Sequence, residues 1–126
     1  MTAAKKQTVG SIGWRDLTIE NAKAVSDFYA AVAGWTVEET PMGDYADYTM
    51  MDANGEAVGG VCHARGGNAD MPAQWLLYVV VADLEKSLDE TMKRGGDVIA
   101  PPRGLMGGKM AVIKDPAGAV MALWEE

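Results

Sequence analysis

The residues suited to chemistry are few. His63 is the single histidine, and it stands next to Cys62, the single cysteine. An imidazole titrating near neutral pH is a ready general base, and beside a thiol it can generate a nucleophile. Neighbours on one strand point to opposite faces, however, so the two cannot form a simple dyad. The plainer readings are a partly exposed edge histidine and a small buried thiol. Asp16 lies among apolar and aromatic residues, where an unpaired carboxylate has a raised pKa and can act as a base. It can equally be hydrogen-bonded to backbone, or paired with Arg15 or Lys109. Asp16 and His63 are the candidate acid–base residues. Tyr45, Asp47 and Tyr48 follow a Met42-Gly43 turn and either rim a pocket or make a polar loop. Arg103 and Lys109 flank a glycine-rich stretch, Gly104 to Gly108. That stretch reads as a mobile loop, one that could close over a ligand and bring a cation to an anionic group. Gly107-Gly108 lacks the strand–loop–helix context of a phosphate-binding motif.

The elements that must position these residues come in two similar series. Ser11 to Ile19 reads as a strand. Asn21 is a candidate helix cap, followed by a helix Ala22 to Ala33 whose stripe is Val25, Phe28, Tyr29 and Val32, with Gly34 as its stop. Extended runs follow at Trp35 to Glu39, Asp47 to Met51 and Ala57 to Ala64, with turns between them. Gly66 to Pro72 reads as the connector. Trp75 to Val81 is nearly all apolar, the pattern of a strand buried on both faces. Asp83 caps a second helix, Leu84 to Arg94, with Leu84, Leu88, Thr91 and Met92 on its inner face and Gly95-Gly96 as its stop. Extended runs follow at Asp97 to Ala100, Lys109 to Lys114 and Ala119 to Trp124, with a strong Asp115-Pro116-Ala117-Gly118 turn before the last. Asn21 matches Asp83 and Gly34 matches Gly96, each pair 62 residues apart. Asn54-Gly55 lies near the equivalent of Ala117-Gly118. A repeat this long means two copies of one module rather than a solenoid.

Composition narrows the class. With 126 residues, 48% apolar and 23% charged, the chain suits one globular domain, here 11–126, with modules at about 11–66 and 73–126 and residues 1–10 as a disordered lead-in. No apolar run approaches the roughly 20 residues of a membrane span, and the N-terminus has no apolar core of a secretory signal. A lone cysteine allows no intrachain disulfide, which suits a cytoplasmic protein. A net charge of −7 argues against nucleic-acid binding.

Two strings carry a resemblance. DLTIENAKAVSDFYAAVAGW, from Asp16 through Trp35, and IKDPAGAVMALWEE at the C-terminus resemble the strand–helix and final hairpin of the vicinal oxygen chelate superfamily. That superfamily contains glyoxalases, bleomycin-resistance proteins and extradiol dioxygenases. The resemblance implies an α+β fold in which two βαβββ modules form curved mixed sheets around a cavity, commonly in a homodimer. In the family the cavity often holds a divalent metal, with one ligand from each of several strands. Here the corresponding positions are Trp14, Leu76, Ala122, and Gly59 or Gly60 according to register. None can ligate a metal, so no metal cofactor is expected; Glu125 and Glu126, near the terminus, read as solvated.

The resemblance then implies, with strand alternation, that Trp14, Asp16 and Thr18 face the cavity, with Leu17 and Ile19 on the helix. Leu76, Tyr78 and Val80 face in from the matching strand, and Val120, Ala122 and Trp124 from the last. Trp14, Thr18, Tyr48, Leu76, Tyr78, Ala122 and Trp124 are the expected ligand contacts. Such a lining suits a small apolar or aromatic organic molecule held by burial. The alternatives are a lyase, isomerase or dioxygenase of the same superfamily using Asp16 or His63 as acid–base, or a metal at non-standard positions. Trp35 and Trp75 read as core or interface aromatics.

Overall fold

The computed structural model describes residues 7–126. Among them are eight strands and two helices in the order β1 (Ile12–Ile19), α1 (Ala22–Ala33), β2 (Thr36–Pro41), β3 (Ala46–Met51), β4 (Ala57–His63), β5 (Trp75–Val80), α2 (Leu84–Lys93), β6 (Asp97–Leu105), β7 (Gly108–Lys114) and β8 (Val120–Glu125). The βαβββ series therefore occurs twice, as the sequence pattern predicts. No helix among the described residues is long and apolar enough to cross a membrane.

The chain divides into two compact units, one of Arg15–Trp75 and one of Leu76–Glu126 with the residues up to Trp14. In the first, the strand order is β2-β3-β4-β1. β1 and β4 run parallel, and the other neighbours are antiparallel. In the second, the order is β5-β8-β7-β6, again with one parallel pair, β5 with β8, and antiparallel neighbours beyond it. A helix between the parallel strands of each unit supplies the crossover that parallel pairing requires. Of the expected lead-in, residues 1–6 lie outside the described residues. Gln7 and Gly10 are held: the Gln7 N–H donates to Glu126 Oε1 at 2.7 Å and the Gly10 N–H to the Val80 carbonyl at 2.8 Å.

Each helix covers one face of its own strands. In the first unit Ala22, Tyr48, Met50 and Val61 form a buried core flanked by Ile19, Val25, Tyr29, Trp35 and Trp75. In the second, Leu84, Ala111 and Leu123 do so, flanked by Val79, Val81, Leu88 and Ile113. The helical stripes sit slightly differently from the sequence expectation. In α1 the buried positions are Ala22 and Ser26, with Val25 and Tyr29 beside them, while Phe28 and Val32 are 57% and 67% exposed. The small Ala22 and Ser26 let the helix approach the strands closely, which rotates the larger Phe28 and Val32 outward. In α2 Met92 is exposed, while Leu84 and Leu88 pack on the inner side as expected. β5 is also not buried on both faces: Leu76, Tyr78 and Val80 are buried and Leu77 is 47% exposed.

Capping and turns explain where the elements begin and end. The Asp83 side chain accepts the Lys86 N–H, as expected of a cap, and the Leu84 N–H donates to Glu125 Oε1 at 2.7 Å. Glu125 is thus a helix-capping side chain rather than a merely solvated one. Asn21 works differently. Its side chain makes no capping bond, and its backbone takes the left-handed conformation, φ 57°, which asparagine tolerates better than most residues. The left-handed stop after α1 is Gly34, and its counterpart after α2 is Gly95, at φ 88°, not Gly96. Gly96 instead passes so close to the Lys114 carbonyl that a β-carbon there would lie 2.6 Å from it.

The stretch from Arg103 to Lys109 is not a mobile loop. β6 continues to Leu105 and pairs with β7 through a two-residue turn, Met106-Gly107, both with positive φ. The register slips near Pro101 and Pro102, where bulges absorb residues that cannot donate to the ladder.

The repeat is clearest in its final hairpins. Asp52 accepts the Asn54 and Glu56 N–H groups at 2.8 and 3.0 Å, and Asp115 accepts those of Ala117 and Ala119 at 2.8 and 3.1 Å. Gly55 and Gly118 follow with φ 77° and 94°. Replacing either aspartate by alanine leaves two turn N–H groups to water. Asp52→Ala and Asp115→Ala are each expected to cost about 1–2 kcal/mol, read as a lower urea midpoint at unchanged slope.

Candidate functional site

β1 and β4 set the geometry of the first unit. Asp16 lies opposite Gly60 and Thr18 opposite Cys62, while Leu17 and Ile19 lie opposite Val61 and His63. Residues paired across a ladder share a face. Asp16, Thr18, Gly60 and Cys62 therefore share the face away from α1. Leu17, Ile19, Val61 and His63 share the face toward it. Tyr48 lies opposite Val61 and joins the α1 core. The structure thus places Tyr48 under the helix, not beside Trp14, Asp16 and Thr18, whose common parity follows the expectation. The sequence could not show this, because Tyr48 sits in a run where both faces carry large residues.

Asp16 and Thr18 are 7% and 5% exposed, so both are polar groups taken into the interior. Asp16 and His63 are not brought together, since they belong to opposite faces. His63 instead joins a cluster at the tip of β3 and the end of β4. Its ring stands edge-on to Tyr45, with centroids 5.5 Å apart, and 5.9 Å from that of Tyr48. Its backbone N–H donates to Asp47 Oδ1 at 2.9 Å. The Arg65 guanidinium lies 3.9 Å above the Tyr45 ring and 3.7 Å from Asp44. Tyr45, Asp47 and Tyr48 therefore act as a clasp that ties β3 to the end of β4. Trp35 and Trp75 contact each other at 5.8 Å and Tyr29 at 6.0 and 5.3 Å, as core aromatics.

The second unit carries a longer continuous face. Tyr78 lies opposite Ala122 and Val80 opposite Trp124. Ala122 lies opposite Val112 and Trp124 opposite Met110. Met110 in turn lies opposite Arg103. Leu76, Tyr78, Val80, Met110, Val112, Ala122 and Trp124 are all buried on this side, while α2 covers the other. The Trp124 Nε1–H donates to the Leu105 carbonyl at 2.9 Å, which fixes the indole across the β6–β7 hairpin. The Arg103 Nε–H donates to Met110 Sδ at 3.4 Å. Lys109 points the other way and lies 4.0 Å from Glu125 Oε1. Met110 and Val112 escape a sequence reading because β7 is apolar on both faces, so no alternation marks which side is which.

Strand parity also decides between Gly59 and Gly60. Gly60 lies opposite Asp16 and shares its face, so the positions that the superfamily resemblance gives for a metal correspond to Trp14, Gly60, Leu76 and Ala122. An indole, a hydrogen and two aliphatic side chains offer no lone pair to a divalent ion. Among the described residues, no three His, Cys, Asp or Glu side chains are grouped so as to hold one. These residues do not fit the family's metal.

Cys62 can be judged as a nucleophile. Burial, then the negative charges of Asp16 and Asp47, push its thiol up to about 12. It is fully protonated at neutral pH, and a thiol is a poor nucleophile. Because the folded value lies above that of the unfolded chain, the unfolded state releases this proton first. The stability tied to Cys62 is thus intact below about pH 9 and declines as pH rises toward 12. Native protein is expected to react with Ellman's reagent at pH 8 far more slowly than urea-unfolded protein. The decline in unfolding free energy above pH 9 should flatten in Cys62→Ala.

Comparison with known proteins gives the family. Residues 16–124 match the glyoxalase-like domain model. "Putative glyoxylase CFP32" of Mycobacterium tuberculosis is 33% identical over 119 residues, which is 92% of this chain and 46% of that protein. "Anthracycline biosynthesis protein DnrV" of Streptomyces peucetius is 32% identical over 130 residues, 93% of this chain and 47% of that protein. The chain thus spans about half the length of these curated relatives. A Streptomyces coelicolor methylmalonyl-CoA epimerase, in complex with 2-nitronate-propionyl-CoA, shares the fold, with a TM-score of 0.55 at 17% identity over 94% of this chain and 99% of that one. The chain belongs to the glyoxalase-like domain family, within the vicinal oxygen chelate superfamily.

Proposed function

We propose that this chain binds a small apolar or aromatic organic molecule against the faces bearing Trp14, Thr18, Leu76, Tyr78, Ala122 and Trp124, and that it does so without a divalent metal. The observation that carries the reading is the identity of the four residues at the family's metal positions: Trp14, Gly60, Leu76 and Ala122. Apolar and aromatic groups replace donors there, which favours burial of a hydrophobic ligand over Lewis-acid chemistry. The names of the relatives support an organic ligand. One is an anthracycline biosynthesis protein, and the epimerase structure holds a coenzyme A thioester analogue. A cytoplasmic location, which the lone cysteine suits, and a homodimer, which the superfamily resemblance implies, belong to the same proposal.

Two measurements test it together. Purified protein incubated with Zn, Ni, Mn and Fe(II) salts and then desalted is expected to hold well under one equivalent of any of them by elemental analysis. A thermal-shift screen of aromatic compounds is expected to yield stabilising ligands that raise Tm with concentration. Stoichiometric metal, or a screen without a single stabilising compound, would count against the reading.

Asp16 supports a second reading, metal-independent acid–base catalysis in a lyase or isomerase. It is the buried carboxylate on the face that also carries Trp14 and Thr18. General acid–base groups typically contribute 10²–10⁴-fold. Asp16→Asn is therefore expected to keep ligand binding within a few-fold while lowering turnover of any substrate found by about 10² or more. Full turnover by the variant removes Asp16 from that role.

A further inference from the structure

We propose that the groove beside α2 is a second ligand site, on the face of the strands opposite that of Tyr78, Ala122 and Trp124, and that it takes a free medium-chain fatty acid. The groove has a volume of about 380 Å³ and lies wholly within the second unit. That volume is in the range of small-molecule sites.

The floor of the groove is aliphatic. Leu123 of β8 and Ile113 of β7 turn toward α2 and form it. Ile113 lies opposite Met121, which is half-buried on the same face. Leu77, with the parity of Val79, leaves a further apolar side chain 47% exposed on that face. The wall is the flank of α2 that carries Lys86, Glu90 and Arg94 on successive turns. Those positions span about 12 Å of helix, so the groove is elongated. No aromatic side chain lines it. An extended alkyl chain suits such a floor better than a flat ring does.

The polar groups of the wall fall into two sets. Thr91 and Arg94 are committed within the helix: the Thr91 hydroxyl donates to the Ser87 carbonyl at 2.8 Å, and the Arg94 Nε–H donates to Glu90 Oε2 at 3.3 Å. The cap carboxylate of Asp83 accepts the Lys86 backbone N–H. Among the described residues, neither the Lys86 ammonium nor the Ser87 hydroxyl has a side-chain partner, and both line the groove. A carboxylate accepts a charge-assisted bond from an ammonium and a second bond from a hydroxyl. Glu90 and Arg94 offset each other, so the lining carries the charge of Lys86 in a chain of net charge −7. The acid head thus belongs at Lys86 and Ser87, with the chain along Leu123 and Ile113.

The test uses titration calorimetry with decanoate below its micelle concentration, decyltrimethylammonium and butanoate. Wild-type protein is expected to bind decanoate about tenfold tighter, or better, than either of the others, because one lacks the anionic head and the other most of the chain. Lys86→Gln should bring decanoate close to decyltrimethylammonium. Lys93→Gln, which removes an equal charge from α2 outside the groove, should keep the wild-type preference. Should Lys86→Gln lose its native circular dichroism, Ser87→Ala, which favours the helix, is expected to weaken decanoate about threefold. Decanoate affinity that falls no further in Lys86→Gln than in Lys93→Gln overturns the inference, since the acid then sits elsewhere. Equal wild-type affinity for decanoate and decyltrimethylammonium, or no binding of decanoate, overturns it too. None of these outcomes bears on the aromatic-ligand reading of the opposite face, which the metal analysis and the aromatic screen test separately.

Discussion

Each unit of this chain lays one helix across one face of its strands, and the pleat then sorts every strand residue into two populations. That constraint governs most of what the structure has to say. A residue with the parity of Leu17 or Ala111 packs under a helix. A residue with the parity of Asp16 or Trp124 does not. A shift of one residue would exchange the two sets entirely, so register is strongly specified wherever one face is buried. Here it is set by the parallel pairings β1–β4 and β5–β8, which put Asp16 across from Gly60 and Tyr78 across from Ala122.

The same sorting separates side chains that look alike in sequence. Cys62 and His63 are adjacent, yet one lies with Asp16 and Thr18 and the other with Tyr45 and Tyr48. The thiol is then held protonated by burial and by two carboxylates, while the imidazole takes part in a structural clasp. Polar residues that advertise chemistry are thus partly absorbed by architecture. Asp52 and Asp115 organise turns, Asp83 and Glu125 cap a helix, and Asp47 closes the end of a strand pair. Asp16 is buried on a strand, in the face that also carries Trp14.

Trp14, Gly60, Leu76 and Ala122, the positions that the superfamily resemblance links to a metal, have no metal-ligating side chains, and β1, β4, β5 and β8, which carry them, are paired throughout. The fold does not depend on the metal, because each unit has its own apolar core under its own helix. A scaffold stabilised in that way can exchange the chemistry of one face while keeping the packing of the other. The face that carries Leu76, Tyr78, Val80, Ala122 and Trp124 in the second unit is apolar and buried.

The sequence by itself determined the two βαβββ series, the stop after α1, the final turns and the family. These depend on local pattern, on residue type and on spacing, all of which are written along the chain. Alternation placed Trp14, Asp16 and Thr18 on one face because Leu17 and Ile19 contrast with their neighbours. It failed for Tyr48, Met110 and Val112, since β3 and β7 are apolar or aromatic on both sides and parity there follows from pairing partners alone. It failed also for the glycine-rich segment, which composition marks as mobile and which pairing with β7 makes a strand and a tight turn. The shared face of Gly60 and Asp16, the outward turn of Phe28 and Val32, and the row that joins Arg103 to Trp124 were decided only by tertiary structure. Each depends on which strand lies beside which, and a hydrogen-bonded neighbour many residues away leaves no mark on local sequence.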